Sequence, residues 1–308
     1  MADTVDSNNR VVYVIAGPTA VGKTAIAIAL AKRLGTEIVS ADSRQCYREM
    51  TIGTAKPSVE ELTEVKHHFI DEFPVTKSLT AADYETLALG YLNDIFKTNN
   101  TAVVCGGTGL YIKALCDGLD EMPAMDEQIV AEVNEQYQLN GLHWLQRAIL
   151  EEDPIFHQQG EMQNPARLIR ALIFKRSTDE SIIDFRTGAR KPRNFKTVKI
   201  ALELPREELY HRINRRVDKM MQEGLLEEVK ALYPLKQLKN LQTVGYTELF
   251  DHLDGKMTLE ESVEKIKQHT RNYAKRQFTW FKKDKAFHWF HPTEKDLVEK
   301  IISLSATI

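Results

Sequence analysis

Residues 17–24 read Gly-Pro-Thr-Ala-Val-Gly-Lys-Thr, and this stretch decides the fold of the 308-residue chain. It matches the phosphate-loop pattern G-x-x-x-x-G-K-[ST], which binds phosphate groups where it joins a strand to a helix. The run before it, Val11–Ala16, is apolar and rich in β-branched residues, which is typical of a strand buried in a parallel sheet. The run after it, Lys23–Leu34, has the spacing of a helix that ends at Gly35. The stretch is therefore predicted to bind a diphosphate group.

Each part of this phosphate loop has an expected role. Backbone N–H groups curl around an anion, and the start of the following helix adds the positive end of its dipole. The Lys23 side chain supplies a point charge, and the Thr24 hydroxyl is the predicted ligand of a Mg²⁺ ion. The predicted diphosphate-binding residues are Gly17, Pro18, Thr19, Ala20, Val21, Gly22, Lys23 and Thr24.

Two more strands with characteristic turns follow the loop. Glu37–Ser40 reads as a strand that leads into Asp42. Thr101–Cys105 reads as another, which the Gly-Gly-Thr-Gly turn at 106–109 joins to the helix Leu110–Leu115. Strand, turn and helix repeated in this way predict an α/β fold with a doubly wound parallel sheet of the P-loop NTPase type.

The remainder of the chain is mostly helical in pattern. The stretch from Asp117 to about Gln163 is acidic and has no good strand candidate, and later helices are interrupted by the loop Arg186–Arg193 and the strand-like Thr197–Leu204. We therefore expect a polar, disordered tail at 1–10, a P-loop α/β core at 11–116, a helical insertion at 117–190, and the rest of the core with C-terminal helices at 191–308.

The bulk composition favours a cytoplasmic protein. The three cysteines, Cys46, Cys105 and Cys116, have neither a zinc-binding spacing nor the even number of a disulfide framework. No apolar run approaches the roughly 18 residues that a membrane span needs, and residues 1–10 lack the character of a signal or transit peptide. The formal net charge of −3 does not indicate a nucleic-acid partner, so local runs of charge must decide that question.

The position of the acidic residues argues against ordinary nucleotide hydrolysis. Most P-loop proteins act on the γ-phosphate of ATP or GTP and place an acid after an apolar strand to hold Mg²⁺. Here Thr101–Cys105 runs into glycines, and the acid, Asp42, follows a strand that we expect to neighbour the P-loop strand. Asp42 could hold magnesium through water or accept a proton, or it could simply cap a turn, and its position leaves these alternatives open.

Basic residues cluster in two stretches that contain no acid, one between Met162 and Thr178 and one between Arg186 and Lys199. Such a run is a solvated face or a footprint for RNA phosphates, and two of them in an acidic chain favour the footprint. On the predicted helix Arg206–Glu223, the basic residues Arg212, Arg216 and Lys219 share one stripe. That stripe is either surface decoration or a second clamp on the diphosphate.

Near the C-terminus, the segment His269–Phe281 interleaves basic and aromatic residues. Aromatic residues at helical spacing usually belong to the core, and we expect most of these to do so. The basic residues Lys275 and Arg276 would then remain available to RNA phosphates.

Eight segments, in order and over nearly the whole chain, resemble the bacterial tRNA dimethylallyltransferase family. P-loop kinases share only the first of them, so the set is specific. The chain differs from the family pattern at Arg44, Cys46, Val130 and 177–179. The matching segments are GPTAVGKT at 17–24, ADSRQCYR at 41–48, IGTAKP at 52–57, GGTGLYIKAL at 106–115, NPARLIRAL at 164–172, RRVDKM at 215–220, VGYTEL at 244–249 and TRNYAKRQFTWF at 270–281.

The resemblance implies transfer of a dimethylallyl group from dimethylallyl diphosphate to N6 of the adenosine beside the anticodon, tRNA position 37. Asp42 would then accept the N6 proton, while Mg²⁺ and Arg216, with Arg212 as the alternative, would oppose the charge of the leaving diphosphate. The implied catalytic residues are Asp42, Lys23, Thr24 and Arg216. The implied tRNA-binding residues are Asp42, Ser43, Arg44, Gln45, Thr108, Gln163, Asn164, Pro165, Ala166 and Arg167, to which the basic pattern adds Lys275 and Arg276.

The expected partners are therefore the tRNA anticodon stem-loop, which the helical insertion would clamp, and dimethylallyl diphosphate, with no membrane and with the enzyme as a monomer. Two other functions fit the phosphate loop alone. A nucleotide or small-molecule kinase would turn over ATP without RNA. An RNA-binding protein switched by a nucleotide would release no product and would leave Asp42 unexplained.

Overall fold

The computed structural model describes residues 9–307. Residues 1–8 of the predicted tail, together with Ile308, lie outside this range. Arg10, which also falls within that predicted tail, is part of the fold: its carbonyl accepts a hydrogen bond from the Lys196 N–H at 2.9 Å, and its guanidinium lies 5.1 Å from the centre of the Phe96 ring. The chain forms two compact units, one running up to Asp117 and resuming at Pro192, the other spanning Gly118–Lys191.

The first unit is built on one parallel sheet, as predicted. Its six strands are β1 (Val11–Ala16), β2 (Ile38–Ser40), β3 (His67–His68), β4 (Thr101–Cys105), β5 (Lys196–Leu202) and β6 (Phe287–Phe290), in the spatial order β3-β2-β4-β1-β5-β6. The expectation that the strand before Asp42 neighbours the P-loop strand is wrong, because β4 lies between β1 and β2. Strand order depends on pairing between distant segments, which a local pattern does not encode.

Thirteen α-helices are found in residues 9–307. They are α1 (Lys23–Leu34), α2 (Val59–Glu64), α3 (Ala81–Ile95), α4 (Gly109–Asp117), α5 (Glu127–Glu152), α6 (Pro154–Gln159), α7 (Pro165–Thr178), α8 (Ile182–Phe185), α9 (Arg206–Gln222), α10 (Leu225–Leu232), α11 (Tyr246–Leu253), α12 (Leu259–Lys283) and α13 (Leu297–Leu304). Helix α1 ends as predicted at Gly35, whose left-handed φ of 62° suits a residue without a Cβ. None of these helices is long and apolar enough to cross a membrane.

The second unit consists of helices α5 to α8. Long helix α5 is interrupted at Gly141, where φ is 70° and ψ is −163°. Its apolar face packs on α7 around the fully buried residues Val133, Leu145 and Phe174. This amphipathic packing gives the unit a hydrophobic core of its own.

The carboxyl ends of β2 and β4 are tied together, and this tie positions the candidate site. The Ala41 N–H donates to the Cys105 carbonyl at 2.8 Å, and the Thr108 N–H donates to the Ala41 carbonyl at 3.1 Å. The backbones approach so closely that a Cβ added at Gly106 would lie 2.2 Å from the Ala41 oxygen. The glycines after β4 are thus required by close packing rather than only by the turn.

Candidate active site

A cavity of about 500 Å³ opens in the first unit at the carboxyl edge of the sheet. This is where ligands bind in open parallel α/β sheets. Its wall contains residues of the phosphate loop, of the turn after β2, and of helices α9 and α12. Among the residues predicted from the sequence, it is lined by Thr19, Ala20, Gly22, Lys23, Thr24, Asp42, Ser43, Arg44, Gln45 and Arg216.

Within the phosphate loop, the Lys23 side chain reaches back to the backbone of the loop. Its Nζ donates a hydrogen bond to the Pro18 carbonyl at 2.8 Å. The pKa of Lys23 is lowered to about 8, chiefly by burial and also by the positive charge of Arg216, while Cys105 and Asp42 oppose the shift. A half-buried ammonium at the start of α1 is partly desolvated, so it gains more from a bound anion than an exposed lysine would.

Arg216 reaches the phosphate loop from α9. Its Nη1 donates to the Thr19 Oγ1 at 3.3 Å. Burial lowers the pKa of its guanidinium, and Asp42 opposes that shift. Arg212 lies one turn earlier and pairs with Glu208 at 2.9 Å. Arg212 is also close to the loop, because its Nη1 would lie 3.9 Å from a Cβ added at Gly22. Both arginines are therefore near the loop, but Arg216 is the one that is bonded to it.

Asp42 both caps a turn and faces the cavity. Its Oδ1 accepts hydrogen bonds from the backbone N–H groups of Arg44 at 2.9 Å and Gln45 at 3.3 Å. Within residues 9–307, these hydrogen bonds occupy Oδ1 alone, which leaves Oδ2 for a ligand. The carboxylate interacts electrostatically with Lys23 and Arg216. The turn-capping alternative is therefore observed, while the roles as proton acceptor and as magnesium ligand stay predictions for this cavity residue.

Thr108 holds the turn after β2 in place. Its Oγ1 accepts a hydrogen bond from the Ser43 N–H at 3.0 Å and lies 3.3 Å from Ser43 Oγ. Gln45 donates from Nε2 to the carbonyls of Thr54 and Ala55, at 3.2 and 3.0 Å. The predicted base-contacting residues of this unit are thus linked by hydrogen bonds around Asp42.

One face of α12 contains three residues that the sequence does not predict to be part of the site. Tyr273, Gln277 and Trp280 follow one another at helical spacing and meet the glycine turn after β4. The Tyr273 hydroxyl interacts with Thr108, and burial raises the Tyr273 pKa to about 12. The spacing i, i+4, i+7 is the available signal, but at Tyr273 and Trp280 helical spacing of aromatic residues predicts a place in the core. Trp280 corrects that expectation, because 42% of its surface is exposed and only Phe281 of the aromatic set is fully buried.

Glu228 is a second residue that the sequence analysis missed. Its carboxylate accepts hydrogen bonds from the N–H groups of Thr51, Ile52 and Gly53 at 2.7–3.0 Å and from the Tyr246 hydroxyl at 2.7 Å. It therefore fixes the loop that forms one wall of the cavity. No local motif marks this residue, since its partners in the loop are about 175 positions away in sequence.

Part of the cavity wall is apolar. This part comes from α9, α10, α12 and the loop before α11. Its members are Ile213, Val217, Met220, Leu225, Val244 and Ile266. An apolar wall beside a cationic loop suits a substrate that has a diphosphate at one end and a hydrocarbon at the other.

Several residues of the basic stretches serve the fold instead of forming a phosphate footprint. The Arg193 side chain is 11% exposed, pairs with Glu85 at 2.6 Å, and donates to the carbonyls of Ala114 and Leu115. Lys199 is buried in β5 and pairs with Asp284 at 2.9 Å. The footprint expected over 186–199 is wrong at both positions, because their acidic partners come from distant segments.

A basic residue of the second unit is likewise held in ion pairs, since Arg176 pairs with Glu152 at 2.7 Å and with Glu132 at 2.9 Å. Other basic residues remain accessible, among them Arg167 and Arg170 on α7.

The predicted tRNA-binding residues of the insertion lie at the start of α7 in the second unit. Asn164 caps the helix by accepting the Arg167 N–H at 3.3 Å, and Pro165 occupies the first turn. Gln163, Ala166 and Arg167 are exposed. On α12 in the first unit, Lys275 and Arg276 are exposed as well, and Arg276 lies 5.7 Å from the centre of the Tyr273 ring.

The residues of the cavity fit a magnesium ion only if the ion is bound mainly by a substrate. Residues 9–307 contain no cluster of three or more His, Cys, Asp or Glu side chains that could hold a metal. Mg²⁺ at phosphate sites keeps several waters and takes one or two protein ligands besides the phosphate oxygens. Thr24 and Asp42, which line the same cavity, meet that smaller requirement.

Comparison with known proteins agrees with this geometry. The IPP transferase family matches residues 45–284. The chain is 43% identical over 286 residues to tRNA dimethylallyltransferase of Cytophaga hutchinsonii, covering 93% of this chain and 94% of the relative. It is also 43% identical over 289 residues to tRNA dimethylallyltransferase 1 of Phocaeicola vulgatus, covering 94% and 96%.

Solved structures show the same likeness. The tRNA isopentenylpyrophosphate transferase of Bacillus halodurans superposes with a TM-score of 0.70 at 37% identity, over 97% of this chain and 95% of that one. A eukaryotic dimethylallyltransferase acting on tRNA shares the fold, with a TM-score of 0.75 at 24% identity over 96% of this chain and 77% of that one. These relatives do not favour the kinase alternative. With its phosphate loop, Asp42 turn and α9 arginine in one cavity, this chain is a transferase and belongs to the IPP transferase family.

Proposed function

We propose that this protein transfers the dimethylallyl group of dimethylallyl diphosphate to N6 of adenosine 37 of tRNA, releasing diphosphate. The observation that carries the proposal is a single cavity in which the phosphate loop, Arg216, Asp42 and an apolar wall come together. A kinase needs no apolar wall of this kind and would place a metal-binding acid after β4, where this chain has glycines.

The chemistry follows from the charges of these groups. The N6 lone pair of adenine is delocalised into the ring, so an acceptor for the N6 proton assists its attack on the allylic carbon. Asp42 would take that proton as the N6–C bond forms. As the C–O bond breaks, its electron pair stays on the diphosphate, where the loop N–H groups, Lys23 and Arg216 oppose the new charge.

We propose that Mg²⁺ assists by binding the diphosphate oxygens, which would add a positive charge at the leaving group. Thr24 would ligate the ion directly, and Asp42 could do so through water. The protein groups that act without the metal are Lys23, which lies under the loop, and Arg216, which lies beside Thr19.

The acceptor base must leave the stacked anticodon loop to reach the cavity. We propose that Ser43, Arg44, Gln45 and Thr108 contact the flipped adenine and its neighbours, and that Gln163–Arg167 of the second unit hold the anticodon stem-loop. Lys275 and Arg276 would bind RNA phosphates. We place the reaction in the cytoplasm, where thiols such as those of the free cysteines stay reduced. We also propose that the enzyme acts as a monomer, since one chain supplies every group named.

Mass spectrometry of tRNA tests the proposal. A tRNA pool incubated with the protein, Mg²⁺ and dimethylallyl diphosphate should gain one dimethylallyl group per modified tRNA, at adenosine 37. A pool in which the acceptor tRNAs carry guanosine at position 37 is the control and should gain nothing. Unmodified tRNA in both pools, together with rapid ATP hydrolysis in the absence of RNA, would instead support the kinase alternative.

A further inference from the structure

The side-chain amide of Gln277 connects two loops of the cavity. It lies on α12, is 6% exposed, and its two polar atoms both point at backbone groups. Its Oε1 accepts a hydrogen bond from the Thr19 N–H at 2.8 Å, and its Nε2 donates one to the Gly107 carbonyl at 2.9 Å. The first partner belongs to the phosphate loop and the second to the turn after β4.

The glycine turn after β4 also positions Asp42, the proposed proton acceptor. Thr108 follows Gly107 directly, and its hydroxyl accepts the Ser43 N–H at 3.0 Å. Ser43 is the residue next to Asp42. A short series of hydrogen bonds therefore runs from the phosphate loop through Gln277 to the turn that contains Asp42.

The packing around the amide leaves little freedom. A Cβ added at Gly107 would lie 2.3 Å from Gln277 Nε2, so the amide fills the space beside that glycine. Because both polar atoms are bonded to backbone and the residue is buried, the amide holds one orientation. A rigid bridge of this kind fixes the distance between the two loops.

We propose that Gln277 is a positioning residue, which sets the placement of the leaving diphosphate relative to the Asp42 carboxylate. It also determines which amides of the phosphate loop face the ligand, since the Thr19 N–H is bonded to Gln277 and is withdrawn from anion binding. This inference rests on the proposed function. Displacement of a reacting group by about 1 Å can cost about 100-fold in rate, so the loss should appear in the chemical step rather than in tRNA binding.

Single-turnover kinetics, with each enzyme in excess over tRNA and with saturating dimethylallyl diphosphate, separate position from folding. Circular dichroism reports the folded fraction, and the rate constant reports the geometry of the folded enzyme that binds the limiting tRNA. Gln277→Met keeps the length of the side chain but removes both hydrogen bonds, and it should lower the rate constant at least tenfold with unchanged tRNA affinity. Gln268→Met, an exposed residue of the same helix, is the matched control and should leave the rate constant unchanged.

Gln277→Glu tests the hydrogen bonds themselves. An ionised carboxylate still accepts from Thr19 but repels the Gly107 oxygen, whereas a protonated carboxyl group can serve both partners. The ratio of the variant rate constant to that of wild type should therefore rise as the pH falls. A purely structural role predicts a smaller folded fraction and a lower melting temperature, with a rate constant that does not follow this titration.

Three results distinguish the possible failures. A Gln277→Met rate constant within twofold of wild type would overturn the positioning role. If that variant does not fold, a pH-independent ratio for Gln277→Glu would do so. Absence of any transfer by the wild-type enzyme would instead contradict the proposed function, and the Gln277 variants would then not be needed to decide it.

Discussion

The Nη1 of Arg216 donates a hydrogen bond to Oγ1 of Thr19 across 3.3 Å, so helix α9 delivers a cation to the phosphate loop. Arg216→Ala should lower kcat by about 100-fold, the typical effect of losing one donor to a developing negative charge. Arg212→Ala removes the neighbouring arginine, which already pairs with Glu208, and should cost less than tenfold. Steady-state assays with saturating tRNA measure both. Equal losses would mean that the two arginines share the diphosphate.

Two variants of Asp42 can separate its role in capping the turn from its role as a proton acceptor. Asp42→Asn keeps an oxygen that can accept from Arg44 and Gln45, but it lacks a basic carboxylate. We expect the Asn variant to melt close to wild type and to lose about 10²–10⁴-fold in kcat. Asp42→Ala, which also loses the turn hydrogen bonds, should melt at a lower temperature. An active Asn variant would show that Asp42 only caps the turn.

Donor binding should depend on pH through Lys23. Its pKa of about 8 means that the ammonium is charged below pH 8 and loses its proton above it. The value of kcat/KM for dimethylallyl diphosphate, which reports the free enzyme, should therefore fall above pH 8. Lys23→Arg keeps its charge throughout this range, so its profile should lack this step even if its affinity is weaker. A wild-type profile that is flat from pH 7 to 9.5 would contradict the role of the Lys23 charge.

The same lowered pKa has a consequence for stability. Between pH 8 and 10.5 the unfolded state binds the Lys23 proton more strongly than the folded state, so this residue makes stability rise with pH across that window. Below pH 8 the burial cost of the charge is fully present. Lys23→Met should accordingly raise the melting temperature at pH 7, by an amount that shrinks above pH 8. Thermal melts at pH 7 and 10 measure this, and a variant less stable than wild type at pH 7 would contradict it.

Glu228 should be needed for stability although it is not expected to touch substrate. Its removal leaves the N–H groups of Thr51, Ile52 and Gly53 without their acceptor, so Glu228→Ala should cost about 2 kcal/mol in the free energy of unfolding. Glu227→Ala, on the same helix but exposed, should change it by less than about 0.5 kcal/mol. Urea denaturation compares the two. Similar values would mean that the loop is held by other contacts.

The RNA footprint can be measured through its salt dependence. If Lys275 and Arg276 hold phosphates, neutralising either should reduce the slope of log affinity against log salt by about one for all tRNAs. Lys97→Ala removes an exposed lysine elsewhere in the first unit and should leave the slope unchanged. Arg167→Ala should instead relax discrimination among anticodon-loop sequences. Unchanged affinity and slope in all variants would place the footprint elsewhere.

Local signals predicted those parts of the fold that depend on neighbouring residues. The helix Lys23–Leu34 and its end at Gly35 are confirmed, because spacing and a C-capping glycine act within a few residues. The strands β1 and β4 were found from apolar runs. The strand Phe287–Phe290 is not predicted from its sequence, because it lies at the edge of the sheet beside β5, and the predicted adjacency of β1 and β2 is wrong.

In the candidate site, too, the sequence predicts the residues that a local motif or a resemblance marks, but not those whose partners are distant in sequence. The phosphate loop has a motif, and Asp42 could be named by resemblance, but Gln277 and Glu228 act on partners far away in sequence. Charge runs were misleading for a related reason. Arg193 and Lys199 look like surface residues when charges are counted along the chain, yet Glu85 and Asp284 bury them in ion pairs. Which residue pairs with which is decided by tertiary packing, and a single sequence does not state it.

The sequence separation of 258 between Thr19 and Gln277 also bears on how the enzyme is made. Translation therefore produces the phosphate loop well before its amide partner. A nascent chain that has not yet reached α12 has the lysine and glycines of the loop but lacks the Gln277 amide that holds Thr19. The loop can take its final form only after Gln277 has been added.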